Sequence, residues 1–163
     1  MGKLTEDDYD DSLSRSYVIK FYDDKFGIKL RSNPKKYKID LLMIEDKYVG
    51  VEVEHGKWSG DFWSNGNYPY LSKYKFPTLN MPYRKYHYWL SDDRGWLENV
   101  FVRHNIEGTQ YMVVRSETIR DNRKIFFDNF KVSNGKKPED WICFKREDVE
   151  TYTLTNGIYI LTR

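Results

Sequence analysis

Residues 37–54 read YKIDLLMIEDKYVGVEVE, two apolar-rich runs on either side of Glu45-Asp46-Lys47. Their β-branched and aromatic content predicts an antiparallel hairpin with those three residues at the turn. Side chains alternate along a strand. One face then carries Ile39, Leu41 and Met43 against Val49, Val51 and Val53, and this wholly apolar face is the expected core side. The other face carries Lys38, Asp40, Leu42 and Ile44 against Tyr48, Gly50, Glu52 and Glu54. A turn centred on Asp46 sets residue 40 across from residue 52. Directly opposed Cβ atoms lie roughly 4.5–5.5 Å apart, where like charges oppose pairing. A hard divalent cation between the carboxylates reverses the sign of that interaction. A one-residue slip would bury both acids and expose the valines, so the pattern fixes the register. The plain alternative is that the acids are solvated, with Lys38 and Glu54 making a surface pair worth little. Leu42 and Ile44 on the same face argue against open solvent there.

Working outward, residues 6–25 carry helical spacing, with Leu13, Tyr17 and Phe21 as the apolar stripe and Val18 alongside. Thr5 suits the N-cap and Gly27 the stop. Residues 28–31 read as a short strand and Ser32-Asn33-Pro34 as a turn. Further strands are expected at 99–103, 110–115 and 158–161, and also at 124–130 and 141–144. Between them, residues 56–82 are rich in Gly, Asn, Pro and Tyr. No repeat or low-complexity linker divides the chain, so residues 1–163 are expected to form one domain. The class is mixed, α/β or α+β: an N-terminal helix, then a central mixed β-sheet with flanking helices.

Composition sets the outer bounds. Aromatic residues make up 17% of the chain, which is not the make-up of a disordered protein. The net charge of +2 neither demands nor excludes a polyanionic partner. The single cysteine, Cys143, excludes an internal disulfide framework and a cysteine-rich zinc site. No apolar run approaches a membrane span, and no signal peptide is visible, so a cytoplasmic location is expected (the host cytoplasm if the source is viral, as in a phage).

The hairpin and the helix before it resemble the PD-(D/E)XK, or restriction-endonuclease-like, nuclease superfamily. The motif reads Ile39-Asp40, eleven intervening residues, then Glu52-Val53-Glu54. The likeness covers about residues 6–57. It implies a helix, a three-strand meander containing the site, then a helix and a further strand. It implies hydrolysis of phosphodiester bonds in nucleic acid, DNA by default, with Mg²⁺ or Mn²⁺ held by Asp40 and Glu52. Two positions depart from the pattern. Ile39 stands for the proline, which is common in the superfamily. Glu54 stands for the lysine, and would serve as the group that aligns or deprotonates the attacking water. Lys57, just past the strand, is a second candidate for that role. His55 faces the other way and ranks below both. Members of the superfamily also use an acid from the first helix. Asp10, then Glu6, lie on the stripe that continues through Leu13 and Tyr17, so Asp10 is the third expected metal ligand.

From residue 57 to 89, aromatics alternate with basic residues. Lys57, Lys73, Lys75, Arg84 and Lys85 are expected to meet phosphates, with rings stacking on bases. Each ring could equally be core packing. Asn80-Met81-Pro82 is a conventional helix start, with Asn80 as cap; otherwise a loop replaces the helix there. A homodimer is compatible with double-strand cutting, which needs two sites. Two other readings stay open: an inactive nucleic-acid-binding domain on the same scaffold, and a viral protein-interaction or inhibitor module with exposed aromatics at its interface.

Overall fold

The computed structural model describes residues 6–34, 39–43, 49–64, 78–82, 98–121, 125–130 and 139–162. It opens with helix α1 (Glu6–Phe26), which stops at Gly27, where Ile28 N reaches back to Tyr22 O at 3.2 Å. The strands are β1 (Leu30–Ser32), β2 (Leu41–Met43), β3 (Val49–His55), β4 (Thr78–Pro82), β5 (Glu98–His104), β6 (Gln110–Arg115), β7 (Ile125–Phe130), β8 (Glu139–Lys145), β9 (Glu150–Thr155) and β10 (Ile158–Thr162). A short helix α2 (Ser116–Arg120) follows β6. This is a mixed α+β chain built on a central multi-stranded sheet.

That central sheet has seven strands in the order β1-β2-β3-β5-β6-β9-β10. β1, β2 and β3 form an antiparallel meander. β3 then pairs parallel with β5, and the remaining neighbours are antiparallel. A smaller sheet has the order β4-β8-β7. Side chains alternate across the large sheet, and both of its faces are covered. One face packs under α1: Val18, Phe21 and Tyr22 meet Leu41, Val51, Val53, Val100, Val102, Tyr111 and Tyr152. The other face packs Leu42, Phe101, Met112 and Val114 against Leu79 and Met81 of β4, Ile142 and Phe144 of β8, and Ile119 of α2. Burying both faces explains why so many strand positions are apolar rather than alternating.

Three expectations are corrected. Leu13 is 44% exposed, while Ser14, Val18, Phe21 and Tyr22 are buried. The helix is rotated so that the larger rings of Phe21 and Tyr22 enter the core. Residues 80–82 start no helix: Asn80, Met81 and Pro82 belong to β4, paired with Cys143, Ile142 and Trp141 of β8. Ile39 does not share the face of Leu41. It packs with Leu42, Trp58 and Phe62 on the opposite side, because the chain bends at Asp40 before β2 begins.

Candidate functional site

The β2–β3 ladder pairs Leu41 with Val51 and Leu42 with Gly50, the register expected from a turn centred on Asp46. Continued by one residue, it sets position 40 opposite position 52. The ladder itself stops at Leu41. The Val53 amide is met instead by a side chain: Asp40 Oδ2 accepts its hydrogen bond at 2.8 Å. Such a bond to a carboxylate is worth about 1.5–3 kcal/mol, more than a neutral one. It also accounts for the bend. Turning Asp40 onto the backbone of β3 rotates Ile39 onto the other face. There Ile39 fills the space over Gly50, where a Cβ would come within 2.5 Å of Ile39 Cδ1. The backbone of Asp40 is fixed from the other side, since its carbonyl accepts from Asn33 N at 2.8 Å.

The second oxygen of Asp40 faces α1. Arg15 Nη2 lies 3.3 Å from Oδ1, with both side chains partly exposed. Glu52 and Glu54 are half-buried and point away from α1, as the burial of Val51 and Val53 under the helix requires. Asp40 therefore bonds to the residue between the two glutamates with its other oxygen turned toward the helix, and the carboxylates of Asp40 and Glu52 do not share one face as the hairpin pattern predicts, because the bend that seats Ile39 over Gly50 turns Asp40 to the α1 side. Among the described residues, no group of three or more His, Cys, Asp or Glu surrounds a single point.

Parallel pairing adds a residue that the sequence reading did not single out. Glu52 lies beside Phe101, and Glu54 beside Arg103. Burial pushes the Arg103 guanidinium down from its usual range, against the pull of the Glu54 carboxylate. The Arg103 side chain also lies over the Trp58 ring, 5.9 Å from its centroid. Its Nε is buried without a hydrogen-bond partner.

Some of the aromatics expected to line a groove are core instead. Trp58, Phe62 and Trp63 are buried. The loop that carries them is tied down by Gln110. Its Oε1 accepts from Phe62 N at 2.8 Å, and its Nε2 donates to Asp61 Oδ1 at 2.8 Å and Thr153 Oγ1 at 3.1 Å. Asn105 donates to Gly60 O at 3.0 Å, and Trp63 Nε1 donates to Thr151 Oγ1 at 2.9 Å. Burial pushes the Asp61 carboxyl up, but hydrogen bonds from Gln110, Ser64 and Trp63 N and the charge of Arg146 outweigh it, leaving a net lowering. These bonds satisfy the polar groups of residues 60–63 and hold them against the sheet.

Lys57 is exposed beyond the end of β3. His55 is on the α1 side, as alternation requires. Asp10 and Glu6 belong to α1, but their side chains lie outside what is described, as do residues Lys73, Lys75, Arg84 and Lys85 entirely. No family model, no curated protein and no solved structure matches the chain. Among the described residues, no helix is long and apolar enough to cross a membrane.

Proposed function

We propose that the chain is a metal-dependent nuclease hydrolysing phosphodiester bonds of nucleic acid, with DNA the expected substrate, on a restriction-endonuclease-like core. One observation carries the reading: the Asp40 carboxylate is bonded to the amide of Val53, the residue between Glu52 and Glu54. The order of elements supports it, with a helix, an antiparallel three-strand meander and then a strand parallel to the third.

The donor chemistry suits a hard divalent ion. Carboxylate oxygens keep lone pairs beyond the one spent on Val53 N, and Mg²⁺ or Mn²⁺ takes one or two carboxylates with water and phosphate completing the shell. Asp40 and Glu52 are the residues that would hold it, with the Asp40 carboxylate turning from Arg15 to the Glu52 side of β3 as it does so. Such an ion, when bound, polarises the phosphate and acidifies a water. Arg15 balances the charge of Asp40 meanwhile; a partly exposed pair is worth about 1 kcal/mol or less, so Arg15 gives way at small cost. Glu54 orients a water and accepts its proton. Arg103, beside Glu54, supplies the positive charge that the motif lysine would bring, and its planar fork matches a phosphate.

A second reading is an inactive nucleic-acid-binding domain, favoured by the Arg15–Asp40 pair, in which a cation already faces the carboxylate. Incubating the purified chain with duplex and single-stranded DNA under Mg²⁺ or Mn²⁺ separates the two. Cleavage that is lost in both Asp40→Asn and Glu52→Gln is the expected result. Salt-sensitive DNA binding without cleavage under either metal would replace the nuclease reading with the second.

A further inference from the structure

On the α1 side of the sheet, β3 and β5 end in two imidazoles. His55 and His104 are in-register neighbours of the parallel pair. Their ring centroids are 5.2 Å apart and their planes cross at 77°. His104 is fully buried. Its Nδ1 lies 2.6 Å from the Asn105 carbonyl oxygen. A carbonyl only accepts, so Nδ1 carries the proton and Nε2 presents its lone pair. That Nε2 is buried and has no hydrogen-bond partner. The rings of Tyr17 and Tyr111 lie against the same imidazole, at 5.4 Å and 6.1 Å, and the Tyr111 hydroxyl is already spent on the Gly108 carbonyl.

An unpaired buried acceptor costs about 1–3 kcal/mol, and in native proteins it points to a water or an ion. The tautomer is informative. A histidine whose Nδ1–H is held by a backbone carbonyl has its Nε2 fixed as a donor atom for a metal. The separation is informative too. With metal–nitrogen bonds of about 2.0–2.1 Å at a tetrahedral ion, two imidazoles on one metal have centroids about 5.2 Å apart. Burial favours the neutral, ligating form of His104, pushing it down to about 4.

We propose that His55 and His104 form a two-imidazole site for a borderline divalent ion of the Zn²⁺, Co²⁺ or Ni²⁺ type, separate from the carboxylates of the nuclease reading. Nitrogen donors select such ions, whereas Mg²⁺ prefers oxygen. His55 is half-buried and gives the ion its way in. Water completes the shell, since the described residues bring no third His, Cys, Asp or Glu to the point.

The test is titration of the chelator-treated full chain with Co²⁺, followed by visible absorption, and with Zn²⁺, followed by calorimetry. One equivalent of each ion is expected, with Co²⁺ giving a visible band that Zn²⁺ displaces. His55→Asn, at a half-buried position where the fold is retained, should abolish the band, as should His104→Gln checked for folding by circular dichroism. Glu52→Gln should leave it unchanged, so that a failed nuclease assay and a failed Co²⁺ titration are told apart. The proposal is overturned if the wild-type chain takes up neither ion, if His55→Asn binds like wild type, or if Glu52→Gln removes the band.

Discussion

Both faces of the central sheet bury rings, but under α1 they close around one centre, whereas on the other face Trp58, Phe62 and Trp63 come from the segment after β3 and mix with aliphatic side chains. Phe21 stacks on Tyr111 with centroids 4.3 Å apart and planes 3° from parallel, and Tyr152, Tyr159 and Phe26 close around it. Opposite, Leu79, Met81, Ile142 and Phe144 cover Phe101, Met112 and Val114. The face under α1 confines its polar atoms, with His104 sealed among Tyr17, His55 and Tyr111. The other face gives way, near the C-terminal end of β3, to Glu52, Glu54 and Arg103. Polar groups are thus sealed among rings on one side and set together beside the strand end on the other.

The largest expected effect bears on the second side. Glu54→Gln keeps the shape but removes the proton acceptor, and on the nuclease reading it lowers the cleavage rate by about 10²–10⁴-fold with little change in stability. A variant that cuts at the wild-type rate would make Glu54 merely Arg103's counter-charge. Next comes the side under α1. Phe21→Ala removes the centre of the aromatic cluster and should cost about 3–5 kcal/mol in denaturant unfolding. A loss under 1 kcal/mol would show that the rings repack and that the two faces are not so different.

Acid provides the third contrast. His104 is held down to about 4 by burial, with Arg103 and His55 opposing its charge further and the Asn105 carbonyl pulling the other way. The rings of Tyr17 and Tyr111 pack against it as well. In metal-free protein the unfolded chain, with its ordinary value near 6.5, therefore takes up a proton that the folded one refuses. Stability from this group is complete above about pH 6.5 and is lost as pH falls toward 4, by about 3 kcal/mol in all. Unfolding curves at pH 7 and pH 4.5 should show this loss, and His104→Gln should remove that share of it. An unchanged pH dependence in the variant would assign the acid sensitivity to carboxylates. The smallest effect is expected at Gly50, where an alanine Cβ meets the mobile end of Ile39 and, at 3.0 Å, Asn99 Oδ1. Gly50→Ala should cost about 1–3 kcal/mol, read as a lowered melting temperature.

Much of this was legible in the sequence where local pattern decides. The β2–β3 register followed from symmetric apolar runs, and the bounds of β6 from a run of buried residues. A local signal also stands near residue 156. Asn156-Gly157 takes positive φ at both positions, 51° and 79°, as a two-residue hairpin turn demands, and this dipeptide marks the β9–β10 hairpin. β4 was not legible, because all five of its residues are buried and show no alternation. Ile39 was misplaced because strict alternation does not foresee a side chain bonding to the neighbouring strand. Arg103 stayed hidden for a different reason. It is far from Glu54 along the chain, and only the order of strands in the sheet brings the two together.

That parallel pair also governs how the molecule assembles. The β2–β3, β5–β6 and β9–β10 pairings join strands that are neighbours in sequence, so each closes a short loop. Joining β3 to β5 means closing a long excursion, part of which, β4, belongs to the other sheet. The entropy of that closure must be met before the contacts repay it. Glu54 and Arg103, like His55 and His104, lie across this one seam. Both polar groupings therefore exist only once that seam has closed, and hairpins alone contain neither.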